Sequence, residues 1–164
     1  MKPDLITKSD VLYKTGYIKY VVMQLDDQLF GMSVTDIRDI LSPHEIISIP
    51  LAPSEILGCH NLRGRIVTAV NLRACLGQEN KDLPSNYRSA VVEHQGELYS
   101  IIVDKVSEII DIHPDDTIQS PENLSEKWKE VSAGVFRFNE KLTVILDVNK
   151  LLSFANVKDS SDDD

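Results

Sequence analysis

This chain carries the same pattern twice, and that repetition limits its possible folds more than any other feature. The run LFGMSVTDIRDIL (Leu29 to Leu41) lies over LYSIIVDKVSEII (Leu98 to Ile110) at an offset of 69 residues. Leu29 then meets Leu98, Phe30 meets Tyr99, Met32 meets Ile101, Val34 meets Val103, Ile37 meets Val106 and Ile40 meets Ile109. Further on, GCHNLRGRIVTAVNLRACL (Gly58 to Leu76) lies over GVFRFNEKLTVILDVNKLL (Gly134 to Leu152) at an offset of 76, with Gly58 on Gly134 and Asn71 on Asp147. The added residues of the second copy fall in the polar stretch HPDDTIQSPENLSEKWKE.

Each copy is β-rich. YIKYVVMQL, then DDQ, then LFGMSV reads as strand, turn and strand, and HQG and NEK mark further tight connections between alternating segments. Units of about 60 residues bury too little surface to be stable alone. Short strands without a helix layer lose their free edges by closing into small barrels. The expectation is therefore a mainly β protein of two small barrels packed over a shared apolar core. The half-repeats are expected at about 17–77 and 86–155, within one domain over 16–155. Residues 1–15 and the acidic tail 156–164 lack apolar anchors and read as flexible.

Helical signals are short. DVNKLLSFA offers Asp147 as N-cap and Leu151, Leu152 and Phe154 as an apolar face. SPENLSEKWKEV offers Ser120 as cap and Pro121 at the first helical position. Trp128 reads as the centre of a small satellite cluster over the second-half insertion.

Composition removes several function classes. Seventeen Lys and Arg against 26 Asp and Glu give a net charge of −9, which argues against nucleic acid as partner. The start of the chain, MKPDLITKSDVLYK, has no apolar h-region, and no run of about 18 apolar residues exists. The expectation is a cytoplasmic protein with no direct membrane insertion. Cys59 and Cys75 lack C-x-x-C spacing and read as reduced core thiols, and His44, His60, His94 and His113 are scattered, so no metal or other cofactor is expected. Dinucleotide, phosphate-loop, zinc-protease and nucleophile-elbow motifs are all missing. His60 has neither nucleophile nor orienting group beside it, and the paired Asp residues fall in turns or the tail. No catalytic constellation is present, and the protein is not expected to be an enzyme.

Function is then sought on surfaces. In GCHNLRGRIVTAV, Gly64 permits a turn with positive φ, Asn61 can hold that turn through its side chain, and Arg63 projects from it. A guanidinium on a stiff turn suits an interface anchor. Gly58 permits close approach of another backbone. In MSVTDIRDIL, the odd spacing of Ile37 and Ile40 keeps them off one face of a regular strand, so one apolar side chain is expected to be exposed.

The segments ILGCHNLRGRIVTAVNLR, FGMSVTDIRDIL, VDKVSEIIDI and LTVILDVNKLL, in this order, resemble the CheW-like chemotaxis adaptor family over about Tyr17 to Phe154. The resemblance implies two five-stranded SH3-like barrels around a common core, with a short C-terminal helix. It also implies a scaffold without catalysis, coupling methyl-accepting chemoreceptor tips to the regulatory domain of a CheA-type histidine kinase, and joining other CheW-like domains in rings. Receptor contacts would map to Ile37, Gly58, Asn61, Arg63, Val106 and Ile109, and the kinase-facing edge to Val34, Asp39 and Ile40. Thr68 and Asn71 stand where the family usually has Pro and Asp. That departure leaves open a divergent paralogue that serves surface attachment or pili, or that modulates the main array.

Overall fold

The computed structural model describes residues 16–79, 81–118 and 124–153. In chain order the strands are β1 (Ile18–Leu25), β2 (Gln28–Ser33), β3 (Ile37–Leu41), β4 (Ile56–Leu62), β5 (Arg65–Asn71), β6 (Arg88–His94), β7 (Glu97–Val103), β8 (Lys105–Ile112), β9 (Ser132–Phe138) and β10 (Lys141–Leu146). Single-turn helices follow β5 (α1, Leu72–Cys75), precede β9 (α2, Glu126–Glu130) and follow β10 (α3, Val148–Leu151). β1 to β5 plus α1 and β6 to β10 plus α3 thus repeat one order of elements.

The two five-stranded units expected from the repeat are present, but each is built from strands of both halves. One five-stranded sheet runs β8-β1-β2-β10-β9 and the other β3-β6-β7-β5-β4, so each sheet takes its first hairpin from one half and three strands from the other. The exchange is made by the two parallel pairings, β2 with β10 and β5 with β7. Period-two alternation dictates which face of a strand is buried but not which strand lies beside it, so the exchange is invisible in the pattern.

Each sheet curls, and closure rests on one bridge. The chain leaving β3 pairs Ile47 with Cys59 of β4 through reciprocal N–H to C=O bonds of 2.8 Å. The chain leaving β8 pairs Ile118 with Val135 of β9 at 2.8 and 2.9 Å. The barrels are therefore only partly closed. Gly58 and Gly134, coincident in the repeat, sit next to these bridges. A Cβ on Gly58 would collide with the Ile47 carbonyl, and one on Gly134 would lie 3.3 Å from the Ile118 carbonyl. The close approach allowed by Gly58 is thus made by the protein's own closing chain.

The shared core lies between the sheets. Met23, Phe30, Met32, Val70, Val92, Ile101, Val135, Val144 and Leu152 are fully buried there. Trp128 belongs to this core, its ring 5.7 Å from that of Phe30, and is not a satellite. Its helix begins at Glu126, where Ser125 caps by accepting from the Trp128 N–H. Ser120 and Pro121 lie outside the described residues. Asp147 caps its helix as the sequence suggested, accepting from Lys150 N–H at 3.1 Å, and its repeat partner Asn71 does the same, accepting from Ala74 N–H at 3.3 Å. Asn71 keeps the cap without the carboxylate.

A charged clamp joins the two sheets at one end of the molecule. The Arg73 side chain, 6% exposed, donates to Asp26 in the β1–β2 turn at 2.9 Å and to Asp104 between β7 and β8 at 2.6 Å. The Arg73 guanidinium holds the Asp26 carboxyl below its ordinary range despite the opposing effect of burial.

Candidate docking surface

The β4–β5 connection is a two-residue turn with Arg63 at φ 50° and Gly64 at φ 87°. Two positive φ values in succession match the right-handed twist of a hairpin. Asn61 pins the turn, its Oδ1 accepting from Gly64 N–H at 3.0 Å. Arg63 is thereby fixed at its backbone while its side chain stays 78% exposed. Its guanidinium reaches Asp39 of β3 at 3.2 Å, and Asp39 also accepts from the Ile40 N–H at 2.8 Å. Beside them Arg38 pairs with Glu93 at 3.4 Å, and a recess among Leu62, Arg65 and Leu98 completes this corner. Curling of the sheet is what brings β3 to the hairpin tip, since the two lie at opposite edges of the strand order.

Ile37 and Ile40 do not alternate in and out. The register slips between Ile37↔Val92 and Asp39↔Val91, and this bulge absorbs the extra residue. Ile37 and Ile40 are both half-buried against the shared core, as is Val34 from the 3-10 turn Val34–Asp36. The second copy shows the same slip, with Val106 opposite Met23 and Ile109 opposite Val21. Val106 packs on the core, but Ile109 is 60% exposed. The exposed isoleucine expected of β3 therefore stands at the repeat-related position on β8.

Of the residues singled out in the sequence, the structure thus gathers Asn61, Arg63, Gly64 and Asp39 at one corner. Val34, Ile37 and Ile40 lie along the neighbouring edge of the shared core, Val106 and Ile109 stand on the other sheet, and Gly58 is buried.

Sequence reasoning missed a polar cluster inside the second barrel. His60 lies in the wall of β4, and its ring centroid is 4.1 Å from that of His44. His60 Nε2 is 3.0 Å from Ser100 Oγ, and His44 Nε2 is 3.1 Å from Ser89 Oγ. Tyr87 Oη donates to the His44 carbonyl at 2.6 Å and accepts from its N–H at 3.0 Å. Burial first, then the neighbouring His44, pushes the His60 imidazole below its ordinary pKa. A signal existed in the repeat, where His60 falls on Phe136 and breaks an apolar pattern.

Both cysteines are free, and the Cys75 thiol is pushed up to about 12, chiefly by burial. Among the described residues no group of three or more His, Cys, Asp or Glu could hold a metal ion, and no helix is long and apolar enough to cross a membrane.

Comparison with known proteins gives this geometry a context. The model of the CheW-like domain matches residues 19–156. The chemotaxis protein CheW of Helicobacter pylori is 26% identical over 135 residues, covering 82% of this chain and 81% of the relative. That of Klebsiella aerogenes is 25% identical over 149 residues, covering 91% and 90%. The crystal structure of the scaffolding protein TtCheW from Thermoanaerobacter tengcongensis superposes with a TM-score of 0.75 at 26% identity, covering 83% of this chain and 92% of that one.

Proposed function

The chain belongs to the CheW-like family, and on that premise we propose that it is a cytoplasmic chemotaxis scaffold coupling receptor tips to a CheA-type histidine kinase. It has no catalytic part of its own. The observation that carries this reading is the corner built around Arg63: a pinned turn, an exposed guanidinium and half-buried apolar side chains of β3 beside it. A receptor tip is a helical hairpin. Ile37 and Val106 on the rim of the shared core, with the uncovered Ile109, give its apolar face a place to lie, while Arg63 takes a carboxylate. Gly58 and Asn61 serve this contact by shaping the hairpin. Val34, Asp39 and Ile40 form the kinase-facing edge, and contacts with other CheW-like domains extend it into rings. Because Arg63 and Asp39 are already paired, the receptor-facing and kinase-facing groups share one corner.

The test is co-assembly of the purified protein with a receptor signalling fragment and the kinase. Co-sedimentation of all three with raised autophosphorylation is the expected result, and Arg63→Glu is expected to abolish receptor binding with the melting temperature nearly unchanged. A folded Arg63→Glu variant that binds the receptor fragment normally would remove the assignment. A protein that binds one partner but leaves kinase activity flat would be acting in a different chemosensory pathway.

A further inference from the structure

The second barrel closes over two imidazoles. His44 lies in the segment that leaves β3 and makes the Ile47↔Cys59 bridge three residues later, and His60 is the residue after Cys59. The two rings touch, with centroids 4.1 Å apart and planes tilted by 44°, so the segment and the wall it closes against are joined by the bridge and by this pair. We infer that the His44–His60 pair is a proton-operated latch: protonation loosens the closing segment from β4, while the first barrel stays shut.

The surroundings leave a charge on the pair uncompensated. β6 presents Ser89, β7 presents Ser100, the segment before β6 presents the Tyr87 phenol, and β5 presents Val67 and Ala69. Glu45 reaches His44 through its backbone carbonyl at 3.4 Å. Among the described residues no carboxylate is hydrogen-bonded to either ring. The serines can rotate to accept from a protonated His60, but its burial and the adjacent His44 ring both oppose a charge there. His60, 6% exposed, takes a proton more readily once the barrel opens to water.

The sign follows from linkage. His60 has a depressed folded-state pKa, so the open form binds more protons and opening becomes more favourable as pH falls below about 6.5. At pH 5.5 the opening equilibrium gains up to about tenfold from this one group. On the reading proposed above, Arg63 follows His60 by three residues on the same hairpin, and receptor binding would weaken over the same range.

The experiment is amide hydrogen exchange of the intact protein between pH 7.5 and 5.5, with rates corrected for the intrinsic pH dependence. The Ile47 and Cys59 amides are expected to lose up to about tenfold in protection, while Ile118 and Val135, which make the matching bridge in the first barrel, keep theirs. Unchanged protection at Ile47 and Cys59 would overturn the latch, as would equal loss at both bridges. His60→Phe, which installs the residue the repeat places in the first barrel, is expected to abolish the pH effect. Should it fold poorly, His60→Gln, which also removes the titrating ring and keeps a polar group near Ser100, serves in its place. A pH effect that survives in the folded variant also overturns the proposal. No receptor is needed, so the latch and the coupling assignment fail separately.

Discussion

Where the first barrel stacks Phe136 on Tyr20, with centroids 5.7 Å apart, the second sets His60 against His44. The repeat relates Phe136 to His60, Tyr20 to Ser89 and Gly31 to Ser100. Ile145 completes an apolar filling in one barrel, while in the other hydroxyls and imidazoles satisfy one another between apolar clusters around Val67, Val91 and Leu98 and around Ala69 and Ile102. The shared core is apolar on both sides. The walls and the core between the sheets therefore carry the fold, and a barrel interior can take either filling provided each polar group finds a partner. What differs is how each barrel responds to strain and to protons.

The largest expected effect compares the two glycines. Gly58→Ala drives a methyl into the Ile47 carbonyl, a backbone atom that cannot swing aside, at φ 156°. We expect a loss of about 3 kcal/mol or more, or failure to fold. Gly134→Ala meets the Ile118 carbonyl at 3.3 Å with φ 139° and should cost about 1–2 kcal/mol. Denaturant unfolding of both variants measures the difference. Equal losses would mean that the two closures are equally tight.

The clamp comes next. Arg73 falls on Asn149 in the repeat, and where Arg73 grips Asp26 and Asp104, Asn149 Oδ1 lies 3.2 Å from His94 Nδ1. Removing Arg73 strands Asp104 beside the sheet junction and leaves Asp26 with only the exposed Lys81, 3.1 Å away. Arg73→Ala should cost about 3 kcal/mol, toward the lower end for such pairs because Asp26 and Asp104 retain some solvent. Asn149→Ala, losing a single hydrogen bond, should cost about 1 kcal/mol.

Much of this comparison was legible in the sequence, for a physical reason. Hydrophobic alternation and turn residues act locally, so the sequence showed the repeated order of elements, the tight connections at HQG and NEK, which the structure makes turns with positive φ at Gln95–Gly96 and Asn139–Glu140, and the Asp147 cap, to which the structure adds the Asn71 cap. Three features depend on what lies opposite in space and were hidden. The exchange of strands between halves leaves each strand's alternation unchanged. The bulge near Arg38 shows only as the odd spacing of Ile37 and Ile40. Trp128 sits in a polar stretch, yet it fills the gap beside Phe30. At the docking corner the Asn61, Arg63 and Gly64 turn could be read in advance, but its ion pair with Asp39 needed the curl of the sheet.

A smaller effect is expected from pH. Folded His60 resists a proton that unfolded His60 accepts, so stability should be full above about pH 6.5 and decline as pH falls below it. Asp26 acts in the same direction in a lower window: its depressed carboxyl contributes stability above about pH 4, lost only under stronger acid. The two windows are separable in one unfolding-versus-pH curve. His60→Phe should flatten the upper step and leave the lower, whereas Arg73→Ala should do the reverse. A curve without the upper step would show that the histidine-filled barrel carries no proton penalty.

The smallest stability effect is expected at the most functionally exposed residue. Arg63 and Asp39 form an ion pair at 3.2 Å, with the arginine side chain 78% in solvent. Water and salt screen such a pair, and holding a long side chain in one geometry costs entropy, so it adds little to folding. Arg63→Ala should shift unfolding by no more than about 0.5 kcal/mol, and raised salt should leave even that small difference hard to detect. Asn61→Ala should cost more, about 1 kcal/mol, because it removes the acceptor that pins Gly64 N–H. If Arg63→Ala proves more damaging than Asn61→Ala, the ion pair to β3 helps hold the second barrel closed, and Arg63 cannot be treated as free for a partner.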